Sequence, residues 1–401
     1  MNFTIITHVV HEKKEGQYFG YGPYVREMNI WIKYAQEITV VAPLQPVTDD
    51  AIYLSYEHDQ LSFKPIRSFS FTSFKNTVTA FVNFPRILWV LFLAMRKADH
   101  IHLRCPGNVG LLGCLVQVLF PNTPKTAKYA GNWDPNAKQP LSYRLQKWIL
   151  SNTFLTRNMK VLVYGEWEGS SENIKSFFTA SYSNQEITNY KLGITDSKLG
   201  IPNYESQNSN YENQNSGLRD VDSIRFLFVG TLSEGKRPLY AVQLVEGLMD
   251  LGYPVCLDLY GEGKLRSVLE AYMKEKGLGN RIVLQGNQTS ETIKRAYQES
   301  HFLVLPSKSE GWPKVVAEAM FWGCVPVATP VSCVSYMMDN GSRGIVLKMD
   351  EDVDVEQLVT CIEDADNYSQ KAKKALHWSR QYTLDYFEEE IEKLVRSEEG
   401  K

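Results

Sequence analysis

The sequence predicts an α/β protein built from two parallel-sheet domains, and three observations carry that expectation. Short runs of β-branched and aromatic residues alternate with helix-length segments through the first 200 residues. The same alternation restarts after residue 222. Between them, Asn203 to Ser216 reads NYESQNSNYENQNS, which holds no aliphatic residue and cannot bury enough surface to offset the entropy of ordering. The expected organisation is a first domain over 1–200, a polar linker or exposed loop over 201–222, a second domain over 223–380 and a C-terminal helix over 381–401 that packs back on the first domain. At about 150 residues per domain, 401 residues suit that count.

In the first half, strands are expected at Phe3–Ile6, Ile38–Val41, Ile101–Leu103, Thr126–Tyr129, Val161–Tyr164 and Phe177–Ser181. Helices are expected at Tyr24–Tyr34, Ala80–Lys97, Val109–Leu119 and Leu141–Leu150. Gly16, Gly20 and Gly22 are placed in a loop between the first strand and the first helix, where bare backbone would approach a phosphate or an acceptor. Their spacing is not that of a dinucleotide fingerprint. In the second half, strands are expected at Phe226–Val229, Val255–Tyr260, Ile282–Leu284, Phe302–Leu305, Val325–Ala328 and Ile345–Leu347, each closed by a Gly or Pro turn. Tyr386, Phe387, Ile391, Leu394 and Val395 then recur at helical spacing among glutamates, which describes an amphipathic helix.

Composition narrows the function classes. With 43% apolar and 22% charged residues, the chain is an ordinary globular one. Forty-three basic side chains against 46 acidic ones give a charge of -3, so the bulk field favours neither nucleic acid nor anionic lipid, and no nucleic-acid partner is expected. Six cysteines without a C-x-x-C pair suit reduced thiols and a cytoplasmic setting, and the opening Met-Asn-Phe-Thr-Ile-Ile suits a first strand better than a signal peptide. The longest apolar run, Ile87 to Met95, is too short to span a bilayer. Flanked by Arg86, Arg96 and Lys97, it fits a buried helix or, through the 80–97 segment, a weak peripheral contact with the inner face of a membrane. His100 and His102 share one strand face and are read as packing; no metal site is expected.

Two segments carry chemistry. Phe226–Pro238, FLFVGTLSEGKRP, is a strand, a glycine turn and a helix opening at Pro238. Gly230 to Lys236 satisfies a P-loop spacing, but Arg237 stands where a hydroxyl would ligate magnesium, so a phosphate site without that metal and a plain structural turn both stay open. Phe302–Gly323, FLVLPSKSEGWPKVVAEAMFWG, is a strand, a loop with Glu310 and Gly311, and a helix starting near Pro313. Its amides and helix dipole favour negative charge, while Glu310 and Glu318 can accept hydrogen bonds from hydroxyl-rich groups at two points. Both glutamates could equally be solvated surface charges.

The E-x₇-E spacing of Glu310 and Glu318, the preceding Pro306-Ser307, the following Glu-Ala-Met, the GCVPVA strand, Gly261-Glu262-Gly263, and Gly230, Leu232 and Lys236 together resemble the retaining GT-B glycosyltransferases of the fourth family (group 1). The resemblance implies two Rossmann-like domains facing a cleft and metal-independent transfer of a sugar, with retention, from a UDP- or GDP-sugar to a carbohydrate or lipid-linked saccharide acceptor. It implies no cofactor and a setting in bacterial surface-polysaccharide or lipopolysaccharide synthesis. Lys236 and Glu310 would be catalytic; Gly230, Thr231, Lys236, Arg237, Gly261, Ser307, Glu310, Gly311, Trp312 and Glu318 would bind the donor, Glu318 through the ribose. Acceptor-side candidates are His8, with His11 near it, Gly20, Gly22, Asn132 and Asp134. Thr231 stands where the family has an arginine, Pro313 removes a loop amide, and Asn132 or Asp134 would replace a family histidine. A nucleotide-sugar epimerase of the same fold and a catalytically silent carbohydrate-binding scaffold are the alternatives.

Overall fold

The computed structural model describes residues 1–47, 53–67, 74–193 and 223–396. The linker expected at 201–222 and the boundary expected at residue 200 lie outside the described residues. By contacts the chain divides into two compact units, one of Met1–Thr179 with Tyr386–Lys401 and one of Ala180–Asp385. Residues from Ala180 onward therefore group with the second unit, ahead of the expected boundary.

The first unit runs β1 (Asn2–Ile6), β2 (His11–Lys14), β3 (Gln17–Tyr21), α1 (Gly22–Ile32), β4 (Glu37–Gln45), β5 (Tyr53–Ser55), β6 (Leu61–Ile66), α2 (Phe74–Arg96), β7 (His100–Cys105), α3 (Asn108–Val116), β8 (Lys125–Tyr129), α4 (Leu141–Ser151), β9 (Met159–Tyr164) and β10 (Ile174–Phe177). Its parallel core has the order β10-β9-β8-β7-β1-β4. β4 then forks, pairing with β6 along its length and with β2 at Leu44 and Gln45.

Two expectations are corrected here. The glycine loop is a β-hairpin: β2 and β3 pair antiparallel across Glu15 and Gly16, both at positive φ (49° and 83°), as a two-residue hairpin turn requires. Gly20 lies inside β3, and Gly22 opens α1. The strand expected at Phe177–Ser181 instead ends at Phe177. Phe177 and Phe178 turn their rings onto Phe387 of a C-terminal helix, here α13 (Leu384–Arg396).

One face of this sheet, through Ile6, Ile101, Leu103, Ala127 and Val161, is buried under α2, α3 and α4. On the other, Phe3 meets Trp31 of α1, and His100 stacks on Phe3. Both His100 and His102 are buried and share Thr126 Oγ1 at 2.9 Å. His11 is buried as well, its Nδ1–H donating to Val9 O and its Nε2 accepting from Tyr56 OH, each at 2.8 Å.

The second unit contains α5 (Asn184–Gly193), β11 (Ile224–Val229), α6 (Pro238–Asp250), β12 (Val255–Tyr260), α7 (Arg266–Glu275), β13 (Ile282–Gly286), α8 (Ser290–Glu299), β14 (Phe302–Leu305), α9 (Lys314–Phe321), β15 (Val325–Ala328), α10 (Val334–Met337), β16 (Ile345–Val346), α11 (Glu351–Glu363) and α12 (Ala365–Ser379). All its pairings are parallel, in the order β13-β12-β11-β14-β15-β16. The central β14 and its neighbour β15 are buried, continuous apolar runs, while Arg225, Asp258 and Gln285 interrupt β11, β12 and β13.

Burial depresses His11 to about 4 and His100 to about 3, so both are neutral in the native protein at pH 7. In the unfolded chain they take up a proton near the ordinary value of about 6.5. The unfolded state therefore binds more protons between those values, and stability should fall as pH drops from about 6.5 towards 4, by on the order of 3 kcal/mol per histidine. Urea unfolding across that range checks it; a flat profile would contradict the neutral assignment.

Candidate functional site

Parallel pairing of β11 with β12 on one side and β14 on the other delivers three loops to one edge of the second sheet. The first two are locked together. Gly230 N–H donates to Tyr260 O at 2.9 Å, Leu232 N–H to Glu262 O at 3.0 Å, and Leu265 N–H to Leu232 O at 3.1 Å. A side chain at Gly261 (φ 131°) would put its Cβ 2.1 Å from Gly230 O, and one at Gly263 would come within 2.3 Å of Leu232 O. The requirement for Gly261 is thus close backbone packing, independent of any ligand.

The third loop is tied to the first by Lys308 N–H donating to Gly235 O at 2.8 Å. Pro238 disfavours a right-handed helical conformation at Arg237, which takes a left-handed one (φ 50°) and receives support from its own N–H bond to Ser233 O. From this turn two cations reach the end of β14. Lys236 Nζ sits 2.5 Å from Glu310 Oε1, and Arg237 Nη1 lies 3.5 Å from Pro306 O. Thr231 is exposed beside them.

The rest of the third loop is fixed from beneath. Ser307 is fully buried, its carbonyl accepting from Thr329 Oγ1 at 2.6 Å, and its hydroxyl has no partner among the described residues. Gly311 O accepts from Ser332 Oγ and from Cys333 Sγ, both at 3.1 Å. Burial, with Glu310 nearby, pushes the Cys333 thiol up to about 12, so it stays a protonated donor. The Trp312 ring is buried against Trp378 and Tyr382. Its side chain packs in the core; α9 starts at Lys314, with Pro313 just ahead of it.

Glu318, on the second turn of α9, is held apart from the Lys236–Glu310 pair. Its Oε1 accepts from Ser181 Oγ at 2.5 Å and its Oε2 from Tyr297 OH at 3.1 Å. Burial and the Glu318 charge hold the Tyr297 phenol well above its usual range, so it remains a donor.

Residues 210–376 match the protein family described as Glycosyl transferases group 1. The matched segment lies within the second unit. Among curated relatives, the alpha-D-kanosaminyltransferase of Streptomyces kanamyceticus is 28% identical over 30% of this chain and 31% of its own length. The GalNAc-alpha-(1->4)-GalNAc-alpha-(1->3)-diNAcBac-PP-undecaprenol alpha-1,4-N-acetyl-D-galactosaminyltransferase of Campylobacter jejuni is 22% identical over 42% of this chain and 47% of its own. The matched segments thus span less than half of either relative. The crystal structure of Anabaena HepE in complex with UDP, 15% identical, aligns over 99% of both chains with a TM-score of 0.64. That likeness fixes the fold as GT-B, with two Rossmann-like parallel-sheet domains.

A Cβ at Gly20 would meet the His11 ring and Val25 at 3.1 Å, and Gly22 is buried, so both serve packing. His11 lies in the core and cannot line a ligand surface. His8 is exposed; desolvation and the Arg104 charge lower its pKa. Asn132 and Asp134 form successive turns, each accepting the backbone N–H two residues on at 2.8 Å.

Sequence reasoning missed two groups. Ser181 and Tyr297 lie far from Glu318 along the chain, and nothing local marks them. Glu27 on α1 bridges Lys128 Nζ at 3.0 Å and Arg104 Nη1 at 3.2 Å, all three largely buried. The signal for that cluster was available: Arg104 and Lys128 stand on buried strands, at alternate positions with His100, His102 and Thr126.

Gly261→Ala should lower unfolding stability by about 3 kcal/mol, because a Cβ must push the Gly230 carbonyl aside. Urea unfolding with an unchanged m-value would read this directly; a neutral substitution would mean the two loops do not touch.

Proposed function

We propose that the protein transfers a sugar from a nucleotide-diphosphate sugar to an acceptor hydroxyl, retaining the anomeric configuration, in assembly of a surface polysaccharide or lipopolysaccharide. The observation that carries this is the Lys236–Glu310 pair at the carboxyl edge of a domain of the group 1 family. Ligands of open α/β sheets bind at that edge. The names of the relatives, which speak of kanosaminyl and N-acetylgalactosaminyl transfer, and UDP bound to HepE support the substrate class.

In this mechanism the diphosphate competes with Glu310 for the Lys236 ammonium. At about 4 Å and an effective dielectric near 20, one such charge pair is worth about 4 kcal/mol before desolvation. As the bond to the sugar lengthens, negative charge grows on the departing diphosphate. Lys236, Arg237 and the amides ahead of α9 stand ready to stabilise it without rearranging. Glu310, freed from the lysine, turns to the sugar hydroxyls and offsets positive charge at the anomeric carbon. Glu318 accepts from the ribose hydroxyls in place of Ser181 and Tyr297, so it contributes chiefly ground-state binding.

Lys236→Ala should cost about 2–4 kcal/mol in kcat/KM for the donor; wild-type turnover would remove the lysine from the phosphate site. Glu318→Ala should weaken calorimetric binding of UDP or GDP, whichever binds the wild type, while unchanged affinity would take Glu318 out of the ribose site. Incubating the donor alone separates transfer from epimerisation, since only an epimerase would return an isomer without an acceptor.

A further inference from the structure

The near balance of charge over the whole chain conceals a local asymmetry. Fourteen of the 43 basic residues, but only two of the 46 acidic ones, lie between residues 60 and 165. Those two acids are engaged at the backbone: Asp99 accepts from Asn2 N–H at 2.6 Å, and Asp134 from Asn136 N–H at 2.8 Å. Within this basic stretch, α3 packs between α2 and α4, and the three helices together cover one face of the first sheet.

Their outer side is unusually apolar for a solvent surface. Of the 17 large hydrophobic residues exposed among the described residues, eight fall between Trp89 and Phe154. Trp89 on α2 and Trp148 on α4 are each 60% exposed, and Phe154 is 70% exposed. The patch is continuous from α2 to the end of α3, because Trp89 stacks on Phe92 and Phe92 meets Phe120 at 5.5 Å. On α4, Leu141, Leu145 and Trp148 form one stripe at helical spacing. Exposed Arg86, Arg96, Lys97, Arg144 and Arg157 are interspersed with these side chains, Arg157 lying over the Phe154 ring at 4.8 Å.

We propose that the outer face of α2, α3 and α4 docks on an anionic lipid bilayer, lying in the interface without crossing it. No helix among the described residues is long and apolar enough to span. Tryptophan, leucine and phenylalanine reach the boundary of the acyl chains, while the arginine and lysine heads stay at phosphate level. A protein partner fits this face less well, since the cores of such interfaces are depleted in charge and no complementary acid is supplied here. The inference rests on the first unit alone and stands whether or not the donor site is correctly assigned.

Co-sedimentation of the full chain with phosphatidylcholine vesicles, with and without phosphatidylglycerol, tests it. Binding should require phosphatidylglycerol, weaken with salt, and fall about fivefold for each surface cation removed, as in R144Q and R157Q. A W89S/W148S variant should lose at least tenfold, while L251S on the second unit, an equally exposed apolar site, should bind as wild type. Thermal melting confirms that each variant is folded. Absence of binding to either vesicle, equal binding with and without phosphatidylglycerol, or insensitivity to W89S/W148S would overturn the proposal. So would a concentration-dependent dimer that W89S/W148S abolishes, since that would assign the face to a second copy of the chain.

Discussion

A parallel sheet sends all its carboxyl-end loops to one edge, and in the second unit two of those loops touch through bare backbone. The carbonyl of Gly230 occupies the space where a side chain of residue 261 would stand, and Leu232 does the same to residue 263. Because the first loop cannot move away from the second, the turn that follows it has one path, from Ser233 into α6 at Pro238. The position of Lys236 over the β14 loop follows from that path. The ion pair is therefore a consequence of main-chain contact, and its geometry does not depend on the surface exposure of either partner.

The same economy governs the buried charges of the first unit. Glu27 faces two cations, so its loss would strip a buried carboxylate from both Arg104 and Lys128, a change that costs several kcal/mol in protein interiors. Aromatic faces share the work: Lys128 lies over Tyr164, Phe177 and Phe387 at 4.9–5.5 Å. These rings offer the ammonium a negative surface.

Legibility in the sequence followed the range of the forces involved. The strands at 302–305 and 325–328 were readable to the residue, because a strand buried on both faces is a continuous apolar run closed by a Gly or Pro turn, and 255–260 was readable from its alternating burial and the glycine that ends it. The β2–β3 hairpin was not, since His11 to Tyr21 is polar and glycine-rich and its pairing depends on a two-residue turn. Lys236 and Glu310 could be nominated from motif spacing, but the partners of Glu318 could not: Ser181 and Tyr297 reach it only through the tertiary fold. Burial of the Trp312 ring was hidden for a related reason, as a loop position two residues from a glutamate gives no hint of Trp378 and Tyr382 beneath it.

The return of α13 to the first unit sets an order on biosynthesis. As the chain leaves the ribosome, residues 1–179 emerge long before Leu384–Arg396, yet Phe177, Phe178 and the ammonium of Lys128 all pack on Phe387 of that helix. The whole second unit must be translated in the interval. The half made first is thus the half completed last, and its unfinished side stays open to water, or to a chaperone, until synthesis is nearly over.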